Sequence, residues 1–293
     1  MTDPAIGLIG LGLMGSALAD RLVGAGQRVI GWDIEDERRG ALRERGGEVA
    51  HDAQEVFSGC SRVLLSLPSH REVGDVVRAA GTTLSRGLTI IDTTTGDPAS
   101  TEALARTMDE QGIVYLDATI SGSSAQVRAG SATLMVGGDA ESFAACSDIF
   151  ALIGSQVFHT GSTGTGAKMK LVTNLVLGLN RAALAEGLAF AESIGLDPTL
   201  SLAVMRGSLA YSRIMDTKGE RMVRGDFAPD ARLSQHLKDV HLIVDTGRDA
   251  GLPMPLSAAH RAVLEEAEAA GYGELDNSAI IKVLLAASRK RVP

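Results

Sequence analysis

The feature that most limits the fold lies near the start of the chain. Ile6-Gly7-Leu8-Ile9 is a short apolar strand that runs directly into Gly10-Leu11-Gly12-Leu13-Met14-Gly15 and then a helical stretch. A G-x-G-x-x-G turn between strand and helix meets three needs. Gly10 allows the tight turn, Gly12 lets a pyrophosphate approach the backbone, and Gly15 permits close helix–strand packing. The helix N-terminus adds N–H groups and positive partial charge for the phosphates. Gly10, Leu11, Gly12, Leu13, Met14 and Gly15 are therefore candidate cofactor-binding residues. The chain holds 34 glycines, so the strand–turn–helix context carries the motif more than its letters do. A second strand ends in Asp33, 18 residues after Gly15. A carboxylate there accepts hydrogen bonds from ribose hydroxyls and repels a 2′-phosphate, which favours NAD over NADP. Arg38 and Arg39 are the counter-signal, since they read either as phosphate partners or as the exposed first turn of the next helix.

Strand-like runs follow at 28–32, 63–66, 88–92, 113–117, 133–137 and 156–159, separated by amphipathic helical segments. That alternation predicts parallel pairing and a doubly wound α/β, Rossmann-type sheet. After Thr163 the texture changes. Residues 166–194 contain no proline and read as one long helix, and everything later reads helical. The expected organisation is a dinucleotide-binding domain (1–163), a long interdomain helix (164–194) and an all-α substrate and oligomerisation domain (195–293).

Composition narrows the function. A net charge of −8 and 3% aromatics argue against a nucleic-acid partner. Cys60 and Cys146 are too few for a disulfide framework, and the six histidines lack metal-ligand spacing, so no metal is expected. No G-x-S-x-G elbow is present. The first residues, Met1-Thr2-Asp3-Pro4, lack a basic leader, and no apolar run is long enough to span a bilayer. A soluble cytoplasmic protein without a membrane partner is expected.

In doubly wound folds, ligands bind at strand C-termini. Leu67 and Pro68 follow one strand, and Asp92-Thr93-Thr94-Thr95 closes another. Leu67, Pro68 and Thr95 are assigned to the nicotinamide side, whereas Thr93 and Thr94 read equally as turn chemistry. The segment Asp117-Ala118-Thr119-Ile120-Ser121-Gly122-Ser123-Ser124 follows a strand and opens a short helix. It is either a carboxylate-binding nest or an N-cap cluster. Lys170 and Asn174, at i and i+4, share a helix face. Spacing alone leaves Lys170 between a surface lysine and a proton-transfer group. Only six lysines occur against 22 arginines, with none in the first 167 residues. Lys168 points away around the helix, and Lys238 precedes Asp239 on a later helix.

Together these segments resemble the β-hydroxyacid dehydrogenase family, which includes 3-hydroxyisobutyrate dehydrogenase and tartronate semialdehyde reductase. The likeness covers the whole chain. The family's D-A-P-V-S-G-G is met by Asp117 through Ser123, its G-x-G-x-x-x-K with a following Asn by Gly164, Gly166, Lys170 and Asn174, and its late Lys-Asp pair by Lys238-Asp239. The resemblance implies a 3-hydroxy acid exchanged with its semialdehyde by hydride transfer, using NAD with NADP possible. It implies Lys170 as general acid/base, Ser121, Gly122, Ser123 and Asn174 as substrate-binding, and Lys238 near the nicotinamide. It also implies a homodimer or homotetramer. Imine reductases share the architecture but lack this lysine, and a non-catalytic NAD sensor would not need Ser121, Lys170 and Asn174 together. Thr119 and Ser123 depart from the family's proline and glycine, and Ala231 and Gln235 from its usual Phe and Leu. Ser123, with Tyr211, Ser212, Gln235 and His236, adds polarity and predicts a carboxylate substrate more polar or bulkier than hydroxyisobutyrate.

Overall fold

The computed structural model describes residues 5–289. Residues 1–4, read above as lacking a leader, and 290–293, the end of the predicted helical domain, lie outside the described residues. The chain divides into two compact units, Met1–Lys170 and Leu171–Pro293.

The first unit contains β1 (Ile6–Ile9), α1 (Leu13–Gly24), β2 (Val29–Trp32), α2 (Asp36–Glu44), β3 (Glu48–Val49), α3 (Ala53–Gly59), β4 (Arg62–Leu65) and α4 (His70–Ala80). It continues with β5 (Thr89–Asp92), α5 (Pro98–Asp109), β6 (Val114–Ser121), α6 (Ser124–Arg128), β7 (Ala132–Gly137), α7 (Ala140–Ala145), α8 (Ser147–Ile153) and β8 (Gly154–Gly161). Among the described residues these strands form one sheet in the order β3-β2-β1-β4-β5-β6-β7-β8. The central strands β1, β4 and β5 are largely apolar because both faces of the sheet are covered there. Ile6, Leu8, Leu64 and Ile91 pack into one core, and Ile9, Val63, Leu65 and Ile90 into the other. The order reverses between β1 and β4, which is the switch point where doubly wound sheets bind ligands.

Two expectations need correction. Pairing is not parallel throughout, since β7 runs antiparallel to β6. The link between them holds only the five-residue α6, too short for a parallel crossover. The strand predicted to stop at Asp117 continues to Ser121, so Asp117, Thr119 and Ser121 belong to β6 and not to a loop.

α9 (Thr165–Ser193) follows and carries the chain into the second unit. There the elements are α10 (Pro198–Arg206), a π-turn (Met215–Gly219), α11 (Glu220–Arg224), α12 (Leu233–Asp249), α13 (Pro255–Ala269), a 3-10 turn (Asn277–Ile280) and α14 (Ile281–Arg289). Leu184, Leu188, Leu202, Leu233, Leu237 and Leu264 fill its core. The π-turn interrupts what the sequence reads as one helix, 212–223. It buries Lys218, which bonds Asp276 at 2.8 Å. No helix among the described residues is long and apolar enough to cross a membrane.

Candidate active site

The glycine turn behaves as its spacing requires. Gly10 has φ +92°, and a Cβ there would collide with the Ser66 carbonyl. A Cβ on Gly15 would collide with the Gly10 carbonyl, so α1 can approach β1 only without one. Gly12 differs, because nothing lies within 4 Å of where its Cβ would be. It is the N-cap of α1 and brings no side-chain cap. The helix start therefore opens on space at the switch point, with buried Leu11, exposed Leu13 and half-buried Met14 around it. These features fit the pyrophosphate of a dinucleotide.

Asp33 is buried at the end of β2. Its carboxylate accepts the Leu11 N–H at 2.6 Å and the Glu35 N–H at 3.0 Å, tying the glycine turn to the end of β2. Arg38 lies 3.3 Å from the same carboxylate, and Arg39 donates to the Asp33 carbonyl and the Asp36 carboxylate. Both arginines thus fold back onto the acid. After β4 and β5, the Leu67 N–H donates to Thr94 Oγ1 at 3.1 Å, and Thr93 Oγ1 donates to the Leu65 carbonyl at 2.7 Å. Thr93 and Thr94 are therefore used in stitching the two loops together, while Asp97 caps α5. Half-buried Thr95 and exposed Pro68 sit on those loops.

Lys170 is buried, 8% exposed, and its Nζ donates to the Ile120 carbonyl at 2.6 Å. Ile120 immediately precedes Ser121 and Gly122, so β6 brings the candidate acid/base group beside the candidate carboxylate site. Lys168 is exposed and pairs with Glu102 at 2.7 Å. Ser123 is the N-cap of α6, in a reciprocal capping box with Gln126. Its Oγ accepts the Gln126 N–H at 3.3 Å, which leaves the hydroxyl proton to donate elsewhere.

In the second unit, Asn174 Nδ2 donates to Asp239 Oδ2 at 2.9 Å, and Lys238 Nζ lies 3.6 Å from Asp239 Oδ1. Asp239 therefore joins the two predicted site residues of that unit. Tyr211 donates to Asp216 at 2.5 Å, Gln235 is exposed, and His236 is buried against Gly178.

Sequence reasoning gave no role to Asp117. Its carboxylate accepts the Gly164 and Ala167 N–H groups, each at 2.8 Å, at the start of α9. Burial pushes the carboxyl up to about 6, with those two N–H groups opposing the rise. Asp92, opposite it in register, is also pushed up by burial, against a hydrogen bond from the Tyr115 hydroxyl at 2.6 Å.

Two family models match. The one described as the NAD binding domain of 6-phosphogluconate dehydrogenase covers residues 5–161, and the one described as the NAD-binding of NADP-dependent 3-hydroxyisobutyrate dehydrogenase covers residues 164–284. The chain is 34% identical to 2-(hydroxymethyl)glutarate dehydrogenase of Eubacterium barkeri, over 95% of this chain and 94% of the relative. It is 33% identical to L-threonate dehydrogenase of Cupriavidus necator, over 95% of both chains. Among solved structures, 3-hydroxyisobutyrate dehydrogenase from Salmonella typhimurium superposes with a TM-score of 0.88 at 25% identity, over 96% of this chain and 100% of that one. With matching models on both units and relatives of this identity along nearly its full length, the chain belongs to the β-hydroxyacid dehydrogenase family.

Proposed function

We propose that the protein interconverts a 3-hydroxy acid and its semialdehyde or 3-oxo acid, with Lys170 as general acid/base and NAD preferred to NADP. The observation that carries this reading is the placement of the Lys170 amine. It is buried and held 2.6 Å from the Ile120 carbonyl, one residue before Ser121, on the helix that carries Asn174 one turn later.

When bound, the nicotinamide supplies the hydride acceptor or donor. The residues Gly10 to Gly15, Asp33, Leu67, Pro68 and Thr95 would hold it, with Lys238 adding a cation. The Ser121 hydroxyl, the Gly122 N–H and the Ser123 hydroxyl proton hold the substrate carboxylate. Gly122 has φ +151° and no side chain in the way. Asn174, oriented by Asp239, aligns the substrate. In oxidation, neutral Lys170 takes the hydroxyl proton as the C3–H bond yields its hydride and C=O forms. In reduction, the Lys170 ammonium returns that proton to the carbonyl oxygen.

The NAD preference rests on Asp33, whose carboxylate stands where a 2′-phosphate would come. The relatives named for 2-(hydroxymethyl)glutarate and L-threonate, together with Ser123 and Tyr211, support a substrate more polar than hydroxyisobutyrate. Exposed Val172, Val176 and Phe190 on α9, with exposed Ile194 just after it, support a homodimer or homotetramer. Free, buried Cys60 and Cys146 are in keeping with the reducing cytoplasm.

The test is initial-rate cofactor reduction with NAD⁺ and NADP⁺ across glycerate, threonate, serine and hydroxymethyl-dicarboxylates. Lys170→Ala should lower kcat by about 10²–10⁴ with cofactor binding kept. A fully active Lys170→Ala enzyme would overturn the proposal.

A further inference from the structure

We propose that Asp117 and Thr119 are positioning residues for Lys170, acting by gripping the first turn of α9 against β6; this rests on the acid/base reading of Lys170. Three ties connect the two elements. Asp117 accepts the Gly164 and Ala167 N–H groups, Thr119 Oγ1 donates to the Gly166 carbonyl at 2.9 Å, and Lys170 Nζ donates to the Ile120 carbonyl at 2.6 Å. The first two fix the helix start, and the third takes the amine back to the same strand one residue beyond Thr119.

The grip is closed on every side. A Cβ on Gly166 would lie 2.5 Å from the Asp117 carbonyl and 2.9 Å from its Oδ2, and one on Gly137 of β7 would collide with Oδ1. The carboxylate is packed closely between β7 and the start of α9, with one helix N–H on each oxygen. Its charge meets the positive end of the α9 dipole. Thr119 is fully buried, and its hydroxyl has both the Gly166 and Met135 carbonyls within 3.3 Å. A helix start that moves carries Lys170 with it, and a displacement of about 1 Å at a reacting group costs on the order of a hundredfold in rate.

Asp117→Asn keeps the shape but presents an NH2 to one of the two helix N–H donors. It should lower kcat by about 10- to 100-fold with KM and NAD⁺ binding little changed. A readout independent of turnover is acylation of lysine amines by an N-hydroxysuccinimide acetate, followed by peptide mass spectrometry. With six lysines in the chain, Lys170 is readily resolved. Its labelling should rise about tenfold in Asp117→Asn while Lys238 serves as the internal standard. Thr119→Val should show a smaller change in both readouts, and it carries the test if Asp117→Asn fails to fold. A folded variant with wild-type kcat and wild-type Lys170 labelling overturns the inference. Lys170→Ala in parallel separates the two ideas. Full activity there defeats the acid/base role, whereas unchanged labelling in Asp117→Asn defeats the positioning role alone.

Discussion

Replacing Arg181 by Met should stabilise the protein. Arg181 lies on α9 within the second unit, 3% exposed, and its Nε and Nη1 meet no hydrogen-bond acceptor among the described residues. Burial takes the guanidinium well below its ordinary range, down to about 10, with Asp276 opposing the fall. That displacement corresponds to about 3 kcal/mol against the charged form. The folded value is depressed for a base, so this cost is present at every pH below about 10 and is relieved only as the pH rises above it. Asp276 does not depend on Arg181. It accepts from Lys218 at 2.8 Å and from the Ser278 hydroxyl at 2.7 Å. Burial alone would raise it, but Lys218 and Ser278 hold it down to about 2. Removing Arg181 therefore orphans no carboxylate. Some packing is lost with the guanidinium, so the expected net gain is about 1–3 kcal/mol. Urea denaturation at pH 7, read by both calorimetry and circular dichroism, measures it. A second readout is His260, held down to about 4 by burial first and by Arg181 second. Its imidazole should titrate higher in Arg181→Met, by NMR. A loss of more than about 1 kcal/mol would show that the buried donors are engaged after all, and would refute the desolvation reasoning.

Other outcomes follow from the first unit. Burial raises Asp117 to about 6, so its contribution to stability is full below about 4 and is lost as the pH rises through 6. Relative to Asp117→Asn, the wild type should lose about 3 kcal/mol between pH 4 and pH 7, measured by denaturant titration at both. Gly12→Val should leave the melting temperature nearly unchanged, since its Cβ meets open space, while abolishing cofactor binding by calorimetry. Gly15→Ala should instead lower the melting temperature, because its Cβ meets the Gly10 carbonyl. Asp33→Ser should raise the NADP-to-NAD ratio of kcat/KM by about 100-fold as Arg38 is released, and adding Arg38→Ala should cancel that gain.

Much of the fold was readable because its signals are local. Parallel strands covered on both faces read as near-continuous apolar runs, and β1 and the interior positions Val63–Leu65 of β4 and Ile90–Ile91 of β5 do so. α9 was read to within one residue at each end, because glycines precede it and an unbroken proline-free run marks its length. β3 was missed because two residues on a sheet edge carry no periodicity. The direction of β7 was missed because residue type does not encode strand polarity. Only the length of the connection does, and that appears once both strand ends are known.

The site divides along the same physical line. Glycine in a tight turn answers a constraint within a few residues, so Gly10 and Gly15 were legible from spacing. Asp117, Thr119 and Asp239 answer partners 47 to 65 residues away. Yet β6 did carry a signal. Its residues alternate, with Leu116, Ala118 and Ile120 on one face and Tyr115, Asp117, Thr119 and Ser121 on the other. A polar face on a strand in mid-sheet cannot be left to solvent, and burying it without partners would cost several kcal/mol. Some other segment must then come close and offer backbone groups. A stretch that can do so needs bare N–H groups and no Cβ in the way, which is a glycine-rich helix start. Gly164-Thr165-Gly166 is such a stretch in this chain, with a lysine four residues further on. The polar alternation of β6 and the glycines before Lys170 are thus two halves of one requirement, met across 47 residues of chain.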